Sequence, residues 1–284
     1  MTTIIAELGI NHNGSLDTLI KMANAAKKAG ADFVKIQKRT IDWCYTPMEM
    51  DKPCKSIWGD TIGDKVKGRE LSWESIDKFV AYCEFHDISW FSSCFDMRSL
   101  EILNERYNVK YNKVPSALTC REKFLKKIAS YRIPTLISTG LCGSYSEIEK
   151  IGWLFEDAGC PFIFNHCVAL YPAPVERLNL SIIKHMKVAL PTDQWSFFLG
   201  VGYSGHEVGI LPSVIAASMG AKWIERHFTL DRAMYGADQA ASMEPQGFER
   251  MVRDIRLLDK IEGFPAKSLQ GDEKNPVTFW REYD

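Results

Sequence analysis

Eight short runs of apolar and β-branched residues, TIIAEL, FVKIQ, SWFSSCF, VKYNKV, PTLIST, PFIFNHC, FLGVGYS and KWIERHF, punctuate the chain from one end to the other. A stretch of helical period follows nearly every one. This alternation predicts an α/β fold with a parallel sheet, because parallel neighbours need a crossover long enough to hold a helix. Eight strand-helix units match a closed (β/α)8 TIM barrel better than an open doubly wound sheet, which usually has fewer strands and carries a glycine fingerprint.

The flanking helices carry their own signals. After the first run, Leu16, Leu19, Ile20, Ala23 and Ala26 fall on one helical face, and Gly30 is placed to stop the helix. After the last, Pro245 suits a first helical turn, and Phe248, Met251, Val252, Ile255 and Leu258 form an apolar stripe ending near Gly263. The expected organisation is one catalytic barrel over residues 1–263 and a C-terminal tail over 264–284. The segment from Lys38 to Glu70 is too long and polar for an ordinary connection and reads as an extended loop over one face, either a lid or an oligomer contact.

Composition narrows the partners. At 284 residues, 46% hydrophobic and 25% charged, the chain can bury a large core. A net charge of −1, with basic residues spread along the sequence, points away from nucleic acid and membrane surfaces and toward small-molecule substrates. The eight cysteines show no C-x-x-C spacing, and the N-terminus MTTIIAELGI has no basic region ahead of a long apolar one. No apolar run reaches the roughly 20 residues that span a bilayer. A cytoplasmic enzyme with reduced thiols is expected.

Loops after all eight strands of such a barrel converge on one mouth, so polar residues at strand ends are the candidates for chemistry. Glu7 ends the first run, while Lys35 and Gln37 lie two apart in the second and point the same way. Ser92 and Ser93 end the third, Lys113 and Ser116 the fourth, Ser138 the fifth, Asn165 and His166 the sixth, Ser204 and His206 the seventh, and Glu225 and His227 the eighth. One strand lysine is as readily explained by a salt bridge to a carboxylate such as Glu7 as by a ligand, since an ammonium is seldom buried alone. Two of them, with Ser116, Ser138 and Ser204 at comparable depth, point to a phosphate or carboxylate site.

His206 and His227 close neighbouring strands. A lone strand-end histidine is more often a hydrogen-bonded core residue, but two could converge on a divalent ion with positions left open for water and substrate. In GYSGHEVG, Gly205 is expected to let the chain turn tightly, so that Ser204 faces an anion and His206 a metal. Cys94, Cys142 and Cys167 lie near strand ends without an adjacent base and read as packing.

The stretches IIAELGINHNGSLDT, AGADFVKIQ, PTLISTG, HCVALYPAP, GYSGHEVG, GAKWIERHFTLD and GADQAASMEP resemble, in order, signature blocks of the sialic acid synthase (N-acetylneuraminate synthase) family, over about residues 3 to 262. The resemblance implies a barrel that condenses phosphoenolpyruvate with an aldose, such as N-acetylmannosamine, to a 2-keto-3-deoxy acid with release of phosphate. By position it implies that Lys35, Lys113, Ser116, Ser138 and Ser204 hold phosphoenolpyruvate, and that His206 and His227 bind Mn2+ or Mg2+. Glu7, Gln37, Tyr171 and Asp238 would face the sugar. Glu7, Lys35, Lys113 and His206 are then the catalytic candidates, in a homo-oligomer.

The chain also departs from the pattern. Leu118, in PSAL, stands where the family's GSGE carries a glutamate, Ala169 replaces an asparagine, and SGH stands for SDH. The family's small antifreeze-like C-terminal domain has no counterpart in this sequence. Two other readings follow: a Schiff-base aldolase or lyase with Lys35 or Lys113 as nucleophile, and a non-catalytic barrel that binds phosphoenolpyruvate or sugar.

Overall fold

The computed structural model describes residues 1–263, so the expected tail over 264–284 lies outside the described residues. All eight runs form strands: β1 (Thr3–Gly9), β2 (Phe33–Lys38), β5 (Trp90–Cys94), β6 (Asn112–Val114), β7 (Thr135–Ser138), β8 (Phe162–Cys167), β9 (Phe198–Gly205) and β10 (Trp223–His227). They pair in parallel and close into a barrel, with β1 between β2 and β10. The (β/α)8 class is therefore observed. Strands in such a sheet are covered on both faces, which is why β8 is buried at every residue and opens on consecutive apolar side chains, Phe162, Ile163 and Phe164.

The helices form as their sequences dictate. In Leu16–Lys28, the Ser15 hydroxyl accepts the Thr18 N–H, and Leu19, Met22, Ala23 and Ala26 are buried. Gly30 follows at φ 92°, a left-handed conformation that glycine adopts without strain. Helix Pro245–Glu262 starts on its proline and buries Phe248, Met251, Val252 and Ile255 against the barrel.

The segment from Lys38 to Glu70 is not an extended loop. It holds short helices Ile41–Cys44 and Pro47–Met50, the antiparallel pair β3 (Pro53–Ser56) and β4 (Gly59–Thr61), and helix Ile62–Arg69. Capping boxes start two of these helices, Thr46 with Glu49 and Thr61 with Asp64. Its ends are tied together, since Lys38 Nζ donates to Glu70 Oε1 at 2.8 Å and to the Leu71 carbonyl at 3.0 Å. The excursion leans on the loops after β1 and β10, where Trp58 packs edge-on against Tyr235 with ring centroids 5.5 Å apart. Among the described residues no helix is long and apolar enough to cross a membrane, and all eight cysteines are free.

Candidate active site

Side chains from all eight barrel strands or their following loops meet at the C-terminal mouth around a cavity of about 200 Å³. Alternation along each strand sends Lys35 and Gln37, and Glu225 and His227, to the inner face. Ladder register then sets neighbours: Glu7 lies beside Lys35 and His227, Ser93 beside Lys113, and Ser204 beside Glu225. Of the residues expected from sequence, Glu7, Lys35, Gln37, Lys113, Ser116, Ser138, Tyr171, Ser204, His206 and His227 all line this cavity. Asp238 stands at its edge, 3.6 Å from His227 Nδ1.

The lysines are paired. Lys35 Nζ lies 2.6 Å from Glu7 Oε2 and 3.5 Å from Glu225 Oε1, and it donates to Ser93 Oγ at 2.7 Å. The contact with Glu7 is a close ion pair rather than an aligned hydrogen bond, because Oε2 has no donor in line. Lys113 Nζ donates to Glu225 Oε2 at 3.0 Å, and Ser204 Oγ donates to Oε1 at 3.2 Å. Burial disfavours the Lys35 ammonium, but Glu225 and Glu7 outweigh it and hold the pKa above the ordinary value. Burial likewise opposes the Glu225 carboxylate, and Lys113 with Lys35 outweighs it, so its pKa is lowered.

Glu225 is thus the hub of the cluster, and sequence reading placed it at a strand end without giving it a role. The signal available was its spacing, two residues before His227 and therefore on the same inner face. Gln37 Nε2 donates to Glu7 Oε1 at 2.7 Å, and its own carbonyl accepts from Arg39 Nη2 at 2.8 Å, which fixes the amide's orientation. Phe95 and Leu141, also unanticipated, supply apolar wall.

The two histidines face each other with ring centroids 5.4 Å apart. His206 Nδ1 lies 2.6 Å from the Val168 carbonyl, so that nitrogen carries the hydrogen and Nε2 keeps a lone pair, which accepts from the Tyr171 hydroxyl at 3.0 Å. Burial, reinforced by neighbouring His227, lowers the His206 pKa to about 3, so the ring is neutral at physiological pH. His227 Nδ1 is buried without a hydrogen-bond partner. A neutral imidazole with a fixed tautomer and an orphaned imidazole nitrogen beside it suit a divalent ion. Among the described residues no group of three or more His, Cys, Asp or Glu side chains is arranged to hold a metal; two imidazole donors would leave the remaining positions of an ion to water and substrate.

Gly205 does not serve a tight turn, because its φ lies outside the left-handed region. It provides space: a Cβ there would stand 2.7 Å from Glu207 Oε2 and 2.9 Å from Arg226 Cδ. Leu118 packs against the core and does not line the cavity, whereas Ala169 does. Glu122 cannot stand in for the missing carboxylate, since it lies exposed in a helical turn and pairs with Lys126 at 2.5 Å. Burial raises the pKa of Cys94, Cys142 and Cys167, which accords with their reading as packing residues. A larger groove of about 830 Å³ between helices Glu122–Ser130 and Tyr145–Asp157 gathers no comparable set of convergent groups.

Residues 22–267 match the NeuB family model. The chain is 35% identical to the human N-acetylneuraminate-9-phosphate synthase, over 94% of this chain and 72% of that one. It is 34% identical to the N,N'-diacetyllegionaminic acid synthase of Campylobacter jejuni, over 99% of this chain and 83% of that one. Among solved structures, the sialic acid synthetase of Leptospira borgpetersenii, determined with citrate, superposes with a TM-score of 0.83 at 28% identity, covering 98% of this chain and 90% of that one.

Proposed function

The chain belongs to the NeuB family of sugar-acid synthases, and from that premise we propose that its barrel, residues 1–263 as one catalytic unit, condenses phosphoenolpyruvate with an aldose. The carrying observation is the buried cluster of Lys35, Lys113, Glu7 and Glu225, flanked by Ser116, Ser138 and Ser204 and facing two imidazoles. Two ammonium groups and two carboxylates leave the cluster neutral before substrate enters. The lysines and serine hydroxyls take the phosphate and carboxylate of phosphoenolpyruvate.

A cavity of about 200 Å³ is small beside the roughly 300–1,000 Å³ usual for ligand sites, so the sugar lies outward, between Tyr171, Asp238 and Gln37. C3 of the enol attacks the open-chain aldehyde carbon to form the new bond. Water adds at C2 and phosphate leaves, giving the 2-keto-3-deoxy acid. Glu7, anchored by Gln37, orients the attacked sugar or the incoming water. His206 Nε2 and His227 would hold Mn2+ or Mg2+, which when bound supplies Lewis-acid polarisation of the aldehyde oxygen.

A Schiff-base mechanism fits less well, because a nucleophilic lysine must lose its proton and Lys35 is held protonated by two carboxylates. The test is phosphate release from phosphoenolpyruvate with manganese present, across N-acetylmannosamine, mannose, arabinose and their phosphates. Release that needs one aldose identifies the acceptor. Binding without release for every aldose favours a binding protein and overturns the proposal.

A further inference from the structure

Just behind the two histidines, on the outer face of the barrel, lies a second buried charge pair that the proposed reaction does not use. Arg226 precedes His227 and points outward, away from the mouth; Glu207 follows His206. Both are fully buried. Arg226 Nη1 donates to Glu207 Oε1 at 2.7 Å, to Ser213 Oγ at 2.8 Å and to the Gly209 carbonyl at 3.0 Å, and Nη2 donates to the Glu207 carbonyl. The Tyr203 hydroxyl donates to Glu207 Oε2 at 2.7 Å. Every one of these bonds runs from β9 or β10 to the segment that leaves His206.

We propose that the Glu207–Arg226 pair is the positioning device that fixes His206 relative to His227, and that Glu207 supplies from the residue after the histidine the carboxylate missing from the residue before it. Gly205 sits directly across the β9–β10 ladder from Arg226, and the space its absent side chain leaves is filled by the Glu207 carboxylate and the arginine stem. Stability alone does not account for the pair, since a buried ion pair is often no better than an apolar replacement of equal volume. A planar guanidinium with four acceptors between Glu207 and Ser213, three on the loop and one in the first turn of the helix that follows, does fix that segment's geometry. On the opposite side, the Val168 carbonyl holds the ring of His206 and the Ala173 N–H holds its carbonyl at 3.0 Å. The strap therefore completes a two-sided clamp. Neither residue touches substrate, and both act through the histidines.

The inference rests on the metal reading of His206 and His227, and its test separates the two. Mn2+ binding is titrated by the electron paramagnetic resonance signal of the free ion, in parallel with phosphoenolpyruvate binding by calorimetry without metal. Glu207→Gln should weaken Mn2+ binding roughly tenfold or more, as loss of outer supports usually does, and leave phosphoenolpyruvate affinity within about twofold. Glu207→Asp, which keeps the charge and adds no side chain at Gly205, should retain more Mn2+ affinity than Glu207→Gln. Tyr203→Phe, which removes one hydrogen bond and no charge, keeps the fold and should cost a few-fold even where Glu207→Gln fails to fold. Wild-type Mn2+ affinity in Glu207→Gln or, failing that variant, in Tyr203→Phe overturns the inference, as does an equal loss of phosphoenolpyruvate affinity. A parent chain that condenses its substrates but takes up no Mn2+ removes the metal reading itself, and this inference with it.

Discussion

Replacing Glu225 by glutamine tests the charge cluster at its hub. The amide keeps the shape and one acceptor, but removes the carboxylate that Lys113 meets at 3.0 Å and Lys35 at 3.5 Å. Lys35 retains Glu7 at 2.6 Å, so the ammonium left without a counter-charge is Lys113. Breaking a buried pair from one side costs about 3–5 kcal/mol, and the retained acceptor places this case near 3 kcal/mol. For a chain of this size that is a fall in Tm of roughly 6 °C, at about 2 °C per kcal/mol.

The same vacancy has the opposite effect on an anion. An unpaired ammonium in a low-dielectric mouth should draw phosphoenolpyruvate more tightly, by roughly tenfold, and ligand should recover much of the lost melting temperature. Turnover should not rise with affinity, because an anion held equally in ground and transition states gives no rate. The pH dependence has a defined sign. The Glu225 pKa is held below its ordinary value of 4.5, so its contribution is fully present above that value and is lost as pH falls below it. The stability gap between parent and variant should be full at pH 7 and narrow in acid. Calorimetric melting with and without phosphoenolpyruvate is the assay, and a variant that melts within a degree of the parent, or binds phosphoenolpyruvate more weakly, refutes the reasoning.

Three further outcomes are expected. Lys113→Met should weaken phosphoenolpyruvate binding by at least tenfold while Asp238→Asn leaves it nearly unchanged, and equal losses in calorimetry would show that anion and sugar do not bind at separate ends of the site. Tyr171→Phe removes the hydroxyl that occupies His206 Nε2 but keeps the ring stack, at 4.1 Å between centroids, so Mn2+ binding should be unchanged or tighter while KM for the aldose rises several-fold. The His12 pKa is lowered to about 4 by burial, so the folded chain resists its protonation; stability should fall as pH drops from 6.5 toward 4, and His12→Asn should flatten that slope in denaturant titrations at pH 7 and 5.

The barrel was legible because most of its strands are largely apolar, β-branched or aromatic and buried on both faces, and no run was misassigned. The β3–β4 pair was not, since PCKS and GDT are short, polar and half-exposed and carry no alternation to detect. Inward-facing candidates were also legible, because alternation of side chains needs only the strand end to be known. Their partners were not. Lys113 and Glu225 lie 112 residues apart and meet across the barrel, and which pair meets depends on strand stagger that composition does not encode. Gly205 shows the same limit: a glycine wanted for conformation and one wanted for room look alike in sequence, and only the arginine opposite it tells them apart.

The tie between Lys38 and Glu70 has an architectural consequence. A polypeptide detour whose two ends are fastened to each other transmits little of its internal variation to the frame that carries it, because the cost of closing it grows only with the logarithm of its length. The stretch between these residues can therefore be lengthened, shortened or exchanged as a cassette while the catalytic frame keeps its dimensions. Because the cassette begins where β2 leaves the mouth, at Arg39 beside Gln37, such exchange is a route by which one barrel chemistry could be refitted to different sugars.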